Sequence, residues 1–202
     1  MSRLFEALLL EQRMKKGRTL YRSDRKGLEK ITPTDKWTKG TVKASYFSYS
    51  KDYPEHWVSH SQGIKKPFSK EESSIYSFRV KRDLDIFNPS SDSDIARLTQ
   101  LLHERGDDVV YSYSGRNERT GIPYSKEFTG HDMVREIGKH LEKYPDKKSH
   151  LSRYRLLTEK MAHLIKEAGF DGFACNDHDL PDENVALFDP NSVLERVSEE
   201  DV

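Results

Sequence analysis

The sequence predicts an α+β fold in a single domain, and three observations carry that expectation. Short runs rich in β-branched and aromatic residues alternate with segments whose apolar residues recur at helical spacing. Residues 154–190, YRLLTEKMAHLIKEAGFDGFACNDHDLPDENVALFDP, show both patterns together: helix, tight turn, strand, polar loop, strand and stop. Across all 202 residues no internal repeat, low-complexity run or linker divides the chain, and this length is enough to bury a substantial core.

In chain order, residues 2–16 read as an amphipathic helix, with Ser2 as N-cap, Leu4, Phe5, Leu8 and Leu9 inward, and Gly17 as stop. An arm that docks on a partner is the alternative for this segment. Residues 18–23, RTLYRS, form the first strand, with Leu20 and Arg22 on one face and Thr19 and Tyr21 on the other. Arg25, Lys26 and Gly27 turn the chain. Residues 31–40 contain Pro33, Trp37 and Gly40 and read as a loop, whereas residues 41–50, TVKASYFSYS, are strand-like. Pro54 suits the first turn of a short helix that starts at Asp52.

A loop over 59–73 leads to the strand SIYSFRV, 74–80, and then to a short extended piece that stops at Pro89. Ser91 or Ser93 caps a helix through Arg105, with Ile95, Leu98, Leu101 and Leu102 as its apolar stripe. Residues 109–114 form a strand, and 115–130, which include GRNERTG, an exposed mobile loop. A helix over 131–143 follows. In the helix of the 154–190 stretch, Leu157, Met161, Leu164, Ile165 and Ala168 make one stripe, ended by the left-handed cap that Gly169 supplies. Residues 170–175 and 185–188 are strands, 191–197 a last short strand or turn, and the acidic tail 198–202 is expected to fray.

Composition narrows the function. Lys plus Arg and Asp plus Glu are 34 each, so the net charge is zero, which argues against a generally basic nucleic-acid binder but not against a local patch. A single cysteine excludes an intrachain disulfide and points to an intracellular, cytoplasmic setting. The apolar run near the N-terminus is too short to span a membrane and lacks a signal-cleavage pattern, so no membrane partner is expected. Neither GxGxxG nor GxxxxGK[ST] occurs. Eight scattered His, one Cys and no HExxH make zinc unexpected. His131-Asp132 is better explained as a helix start than as a metal pair, and Cys175, within an apolar strand, as a buried inert thiol.

Three further features gain meaning from their order. Arg22 ends the first strand in LYRS, Ser48 and Ser50 end another in YFSYS, and Glu183 opens a late strand in DENVALFDP. Each alone is ordinary: a surface Arg, sheet residues, a solvated acid. Together they resemble the ADP-ribosyltransferase fold, whose site elements run in the order Arg, Ser-x-Ser, Glu; the phrases GFDGFA and NVALFDP are similar to the closing strands of bacterial and phage-type members. The resemblance covers three short segments spread over most of the chain. It implies a central split, mostly antiparallel sheet flanked by helices, and a mono-ADP-ribosyltransferase of the toxin-type or phage-effector kind that uses NAD as substrate, needs no metal and modifies an unknown protein or nucleic-acid acceptor.

The same resemblance distributes roles. Glu183 opposes the positive charge that develops as the nicotinamide–ribose bond breaks. Arg22 holds the pyrophosphate through its planar fork. Ser48 fixes the ribose or orders Glu183, with Tyr21 and Ser50 beside the cofactor, and Tyr49 or Tyr53 stacks on the nicotinamide. One departure from the pattern matters: the register before VALFDP places Asn184 where the carboxylate commonly stands, and a one-residue slip sends a side chain to the opposite face of a strand. A binding module on the same fold, without transfer chemistry, is therefore the second reading. A small metal-independent nuclease using His103, His131 or His163 is the third.

Overall fold

The computed structural model describes residues 13–34, 42–60, 71–88, 91–105, 110–116, 123–129, 161–176 and 183–202. Its elements in chain order are β1 (Arg13–Met14), β2 (Thr19–Arg25), β3 (Ser45–Ser48), α1 (Asp52–His60), β4 (Ser73–Val80), β5 (Leu84–Phe87), α2 (Asp92–Arg105), β6 (Val110–Arg116), β7 (Pro123–Thr129), α3 (Ala162–Glu167), β8 (Gly172–Asn176), β9 (Glu183–Leu187), α4 (Pro190–Val193) and β10 (Leu194–Asp201). The architecture is α+β. Eight strands form one sheet in the order β1-β5-β8-β9-β3-β2-β4-β10, and β6 and β7 make a separate hairpin. Within the eight-stranded sheet only β5 and β8 pair in parallel among the described strands.

Between β3 and β2 the ladder narrows to the single pair Tyr21–Ser48, whereas β2 and β4 pair from Thr19–Arg79 through Arg25–Ser73. The described sheet therefore falls into two parts, β1-β5-β8-β9-β3 and β2-β4-β10, joined by one rung; β8, β9 and β3 are well laddered, whereas β1–β5 and β5–β8 pair through two residues each.

Side-chain alternation gives each face its own core. On one face Phe173, Ala186 and Phe188 meet Leu98 and Leu102 of α2 and Leu164 and Ile165 of α3, and Phe87 closes edge-to-face on Phe170 at 5.4 Å between centroids. The opposite face carries Leu20, Phe47, Phe78, Val185 and Leu187, with Phe47 and Phe78 edge-to-face at 5.6 Å. Geometry of this kind adds to the area term of aromatic burial. Gly169 has φ +86°, the left-handed cap that its place after α3 demands. Gly172 is required for a different reason: a Cβ there would run into the Ala186 carbonyl oxygen across the β8–β9 ladder and stand 3.0 Å from Leu187 Cδ2.

Several boundaries differ from the sequence expectation. Arg13–Met14 are not the end of a helix but a strand paired with Leu84 and Asp85, and the expected helix start in residues 2–12 lies outside the described residues. Backbone pairing outweighs the amphipathic pattern here, and Met14 buries itself beside β5. The expected loop 115–130 contains β7, in register with β6 from Val110–Thr129 to Arg116–Pro123. The acidic tail does not fray: β10 pairs with β4 as far as Asp201–Ser74. Its acids are anchored, Glu199 by the Gly27 N–H and the Tyr76 hydroxyl, Glu200 by Lys51 at 2.7 Å, and Asp201 by Lys26 at 2.8 Å. The expected helix over 131–143 and the start of the helix before Met161 lie outside the described residues.

Candidate functional site

The three segments singled out in the sequence fall on three neighbouring strands. Glu183 opens β9, Ser48 closes β3 and Arg22 lies in β2, and these strands adjoin in the order β9-β3-β2 across the one-rung junction. Segments as far apart as residues 22 and 183 thus meet in one patch of sheet.

Register decides which of them share a face. Ser48 stands opposite Tyr21 on one side and Asn184 on the other, and Asn184 stands opposite Cys175. Tyr21, Ser48 and Asn184 therefore form a row on one face, because directly paired residues project to the same side. Position 183 has the parity of Val185 and Leu187 instead, and it pairs with Asn176 rather than with the Ser48 level.

Arg22 has the parity of Leu20 and pairs with Tyr76 on the face opposite Ser48. Its guanidinium lies 5.8 Å from the Phe47 ring centroid, its Nε donates to the Asp24 carboxylate at 2.9 Å, and its Nη1 reaches across the junction to the Tyr46 carbonyl at 3.5 Å. Arg22 is thus a half-buried cation with a carboxylate already on it, a partner that the sequence reading overlooked. Its signal was present as an i, i+2 spacing on a strand, which places both side chains on one face.

The serines serve the chain locally. Ser48 Oγ accepts from the Ser50 N–H at 3.1 Å, and Ser50 Oγ accepts from the Asp52 N–H at 3.1 Å. These two side-chain turns lead the backbone out of β3 and satisfy a donor at the start of α1, as hydroxyls do at helix N-termini. Lys51, between them, reaches Glu55 at 3.4 Å and Glu200 at 2.7 Å; hydrogen bonding to Glu200 raises its pKa. Tyr49 is stacked under the Arg18 guanidinium at 4.8 Å on the Phe47 face. Tyr53 is half-buried in the first turn of α1, which packs on β2 and β4.

Ser48 is 2% exposed and Asn184 5%. Asn184 Oδ1 is buried and finds no hydrogen-bond donor among the described residues. Of the histidines, His103 is exposed in the last turn of α2 and His163 is half-buried on α3, while His131 lies outside the described residues.

No protein-family model, curated protein or solved structure matches this chain. Among the described residues no group of three His, Cys, Asp or Glu side chains is arranged to hold a metal ion, and no helix is long and apolar enough to cross a membrane.

Proposed function

We propose that the chain is an ADP-ribosyltransferase-like domain that takes NAD as substrate and passes ADP-ribose to a macromolecular acceptor. One observation supports this above the others: the Arg22, Ser48 and Glu183 segments, remote in sequence, lie on adjacent strands β2, β3 and β9 at the narrow junction of the sheet. In this reading the pyrophosphate lies toward Arg22 and Glu183 opposes the oxocarbenium charge at the mouth of β9, strand positions 22 and 183 sharing one face, while Ser48, on the other face, shapes the chain between β3 and α1.

The test is incubation of the full chain with labelled NAD and a cell lysate, beside the Glu183→Gln variant. Label on a macromolecule that the variant fails to transfer supports the proposal. Equal transfer by both removes Glu183 from the mechanism.

A second reading, NAD binding without transfer, is favoured by a specific feature: the residue opposite Ser48 is Asn184, whose neutral amide cannot offset a developing cation as a carboxylate does. Its signature is thermal stabilisation by NAD with no nicotinamide release.

A further inference from the structure

The segment that leads out of β2 passes beside β10 and α4 and leaves a cleft of about 200 Å³ there. Ile31, Phe78 and Leu194, each nearly fully buried, form its apolar side. The segment is pinned at both ends. The Asn191 side chain accepts from the Ile31 N–H at 3.1 Å and donates to the Ile31 carbonyl at 2.8 Å, while the Leu28 N–H donates to the Tyr76 hydroxyl at 2.9 Å. Fixed backbone therefore bounds the space. A water's share of liquid is about 30 Å³, so the cleft matches roughly seven waters, room for a small molecule but not for a dinucleotide.

Two opposite charges border this cleft, Arg196 and Glu29, and they form no ion pair with each other. Arg196 donates through Nη1 to the Leu28 carbonyl and lies 6.0 Å from the Tyr76 ring centroid, contacts that fix its direction without neutralising it. Its acidic neighbour Glu199 is occupied by the Gly27 N–H and the Tyr76 hydroxyl. Glu29 is exposed and makes no hydrogen bond or ion pair with a described residue. A ligand that is only an anion is set against Glu29, and one that is only a cation against Arg196. A zwitterion satisfies both, its carboxylate on the guanidinium fork and its ammonium on the Glu29 carboxylate. An apolar body on the same molecule covers Ile31, Phe78 and Leu194. We propose that the cleft binds a free amino acid with an aliphatic side chain of about the size of leucine. None of its described lining residues belongs to the Arg22, Ser48 or Glu183 segments, so the site stands without the NAD reading.

The experiment titrates the full chain with leucine, with isocaproate, which keeps the carboxylate and the aliphatic body, and with isoamylamine, which keeps the ammonium and that body. Calorimetry gives the affinities, and the amide NMR signals of residues 28–31 and 194–196 give the place. Leucine is expected to bind roughly fivefold more tightly than either analogue, a modest factor because both charged partners are exposed and their ion pairs are screened. Glu29→Gln should remove the advantage over isocaproate and leave the melting temperature unchanged, because Glu29 holds no described residue in place. Arg196→Gln, which also gives up the Leu28 bond, should remove the advantage over isoamylamine. Equal binding of leucine and isocaproate by the parent would reduce the cleft to an anion site at Arg196 and overturn the proposal. Retained advantage in Glu29→Gln, or shifts confined to signals outside the cleft, would overturn it too. So would the absence of leucine binding up to about 50 mM.

Discussion

At the scale of single residues, the Arg22–Asp24 pair yields a test of sign. Both side chains are about four-fifths buried, 21% and 17% exposed, and the pair is close at 2.9 Å. If Arg22 holds a pyrophosphate, Asp24 competes for the same fork. Asp24→Asn should then tighten NAD binding several-fold, whereas Arg22→Ala should weaken it tenfold or more. Calorimetry on the two variants checks this, and weakening in both would show that the pair acts as scaffold. Asp171 offers a test of pH. Burial pushes its carboxyl up, but the two-pronged Arg82 guanidinium at 2.9 and 2.7 Å and the Asp85 N–H at 2.9 Å outweigh that and hold it below the ordinary value of 3.8. With the folded-state value depressed, the stabilisation is complete above the ordinary value and disappears as pH falls through the lower one. Arg82 is half exposed, so screening limits the pair to about 1 kcal/mol. Asp171→Asn should lower the midpoint of chemical denaturation at pH 7 and flatten the loss of stability between about pH 5 and pH 2. An unchanged acid limb would assign that limb to other carboxylates.

At the scale of elements, the strands and helices with a buried stripe were legible, and those without one were not. Met161, Leu164 and Ile165 are fully buried, as their helical spacing requires, and Leu20 and Arg22 share a face as their alternation requires. β10 failed this test because only Leu194 of LERVSEED is buried and the rest of the strand is exposed or half-exposed. An edge strand held by backbone pairing and by the contacts of its acids leaves little periodicity to read. Its contribution is nevertheless specific. Glu199 takes the Gly27 N–H and the Tyr76 hydroxyl, while Arg196 donates to the Leu28 carbonyl, so β10 fixes the turn after β2. Those same bonds, the Gly27 N–H first, hold the Glu199 carboxylate below its ordinary value of 4.5, and burial pushes the Tyr76 phenol up. Removal of residues 198–202 should therefore lower the melting temperature by several degrees and speed amide exchange in both β4 and residues 25–28. Exchange confined to β4 would show that the turn stands without the strand.

At the scale of the whole molecule, the sequence singled out three segments that fall on adjacent strands, but not the faces they present. Alternation within one strand is readable, yet whether two strands pair in register is set by turns and packing remote from the site. Asn184 rather than Glu183 came opposite Ser48 because β9 is fixed from its far end, where Ser45 pairs with Leu187 and Leu187 with Gly172. The same topology makes a prediction about dynamics. The ladders β3–β9 and β2–β4 meet at the single rung Tyr21–Ser48, so among the described pairings separation of β2 from β3 breaks the fewest sheet contacts. A dinucleotide reaching from Arg22 of β2 to the mouth of β9 at position 183, on the same face, ties the halves together. At a hundredfold excess over its dissociation constant it stabilises the bound form by about 2.7 kcal/mol, or roughly 5–10 °C in melting temperature for a chain of this size. The gain should be local before it is global. Hydrogen exchange followed by mass spectrometry should show NAD slowing exchange in residues 19–25 and 45–50 under conditions where the β4–β10 ladder exchanges at its ligand-free rate. Slowing that is uniform over both halves would mean that the ligand acts only on global unfolding. Slowing confined to one half would place the dinucleotide away from the junction and dissolve the link between Arg22 and Glu183.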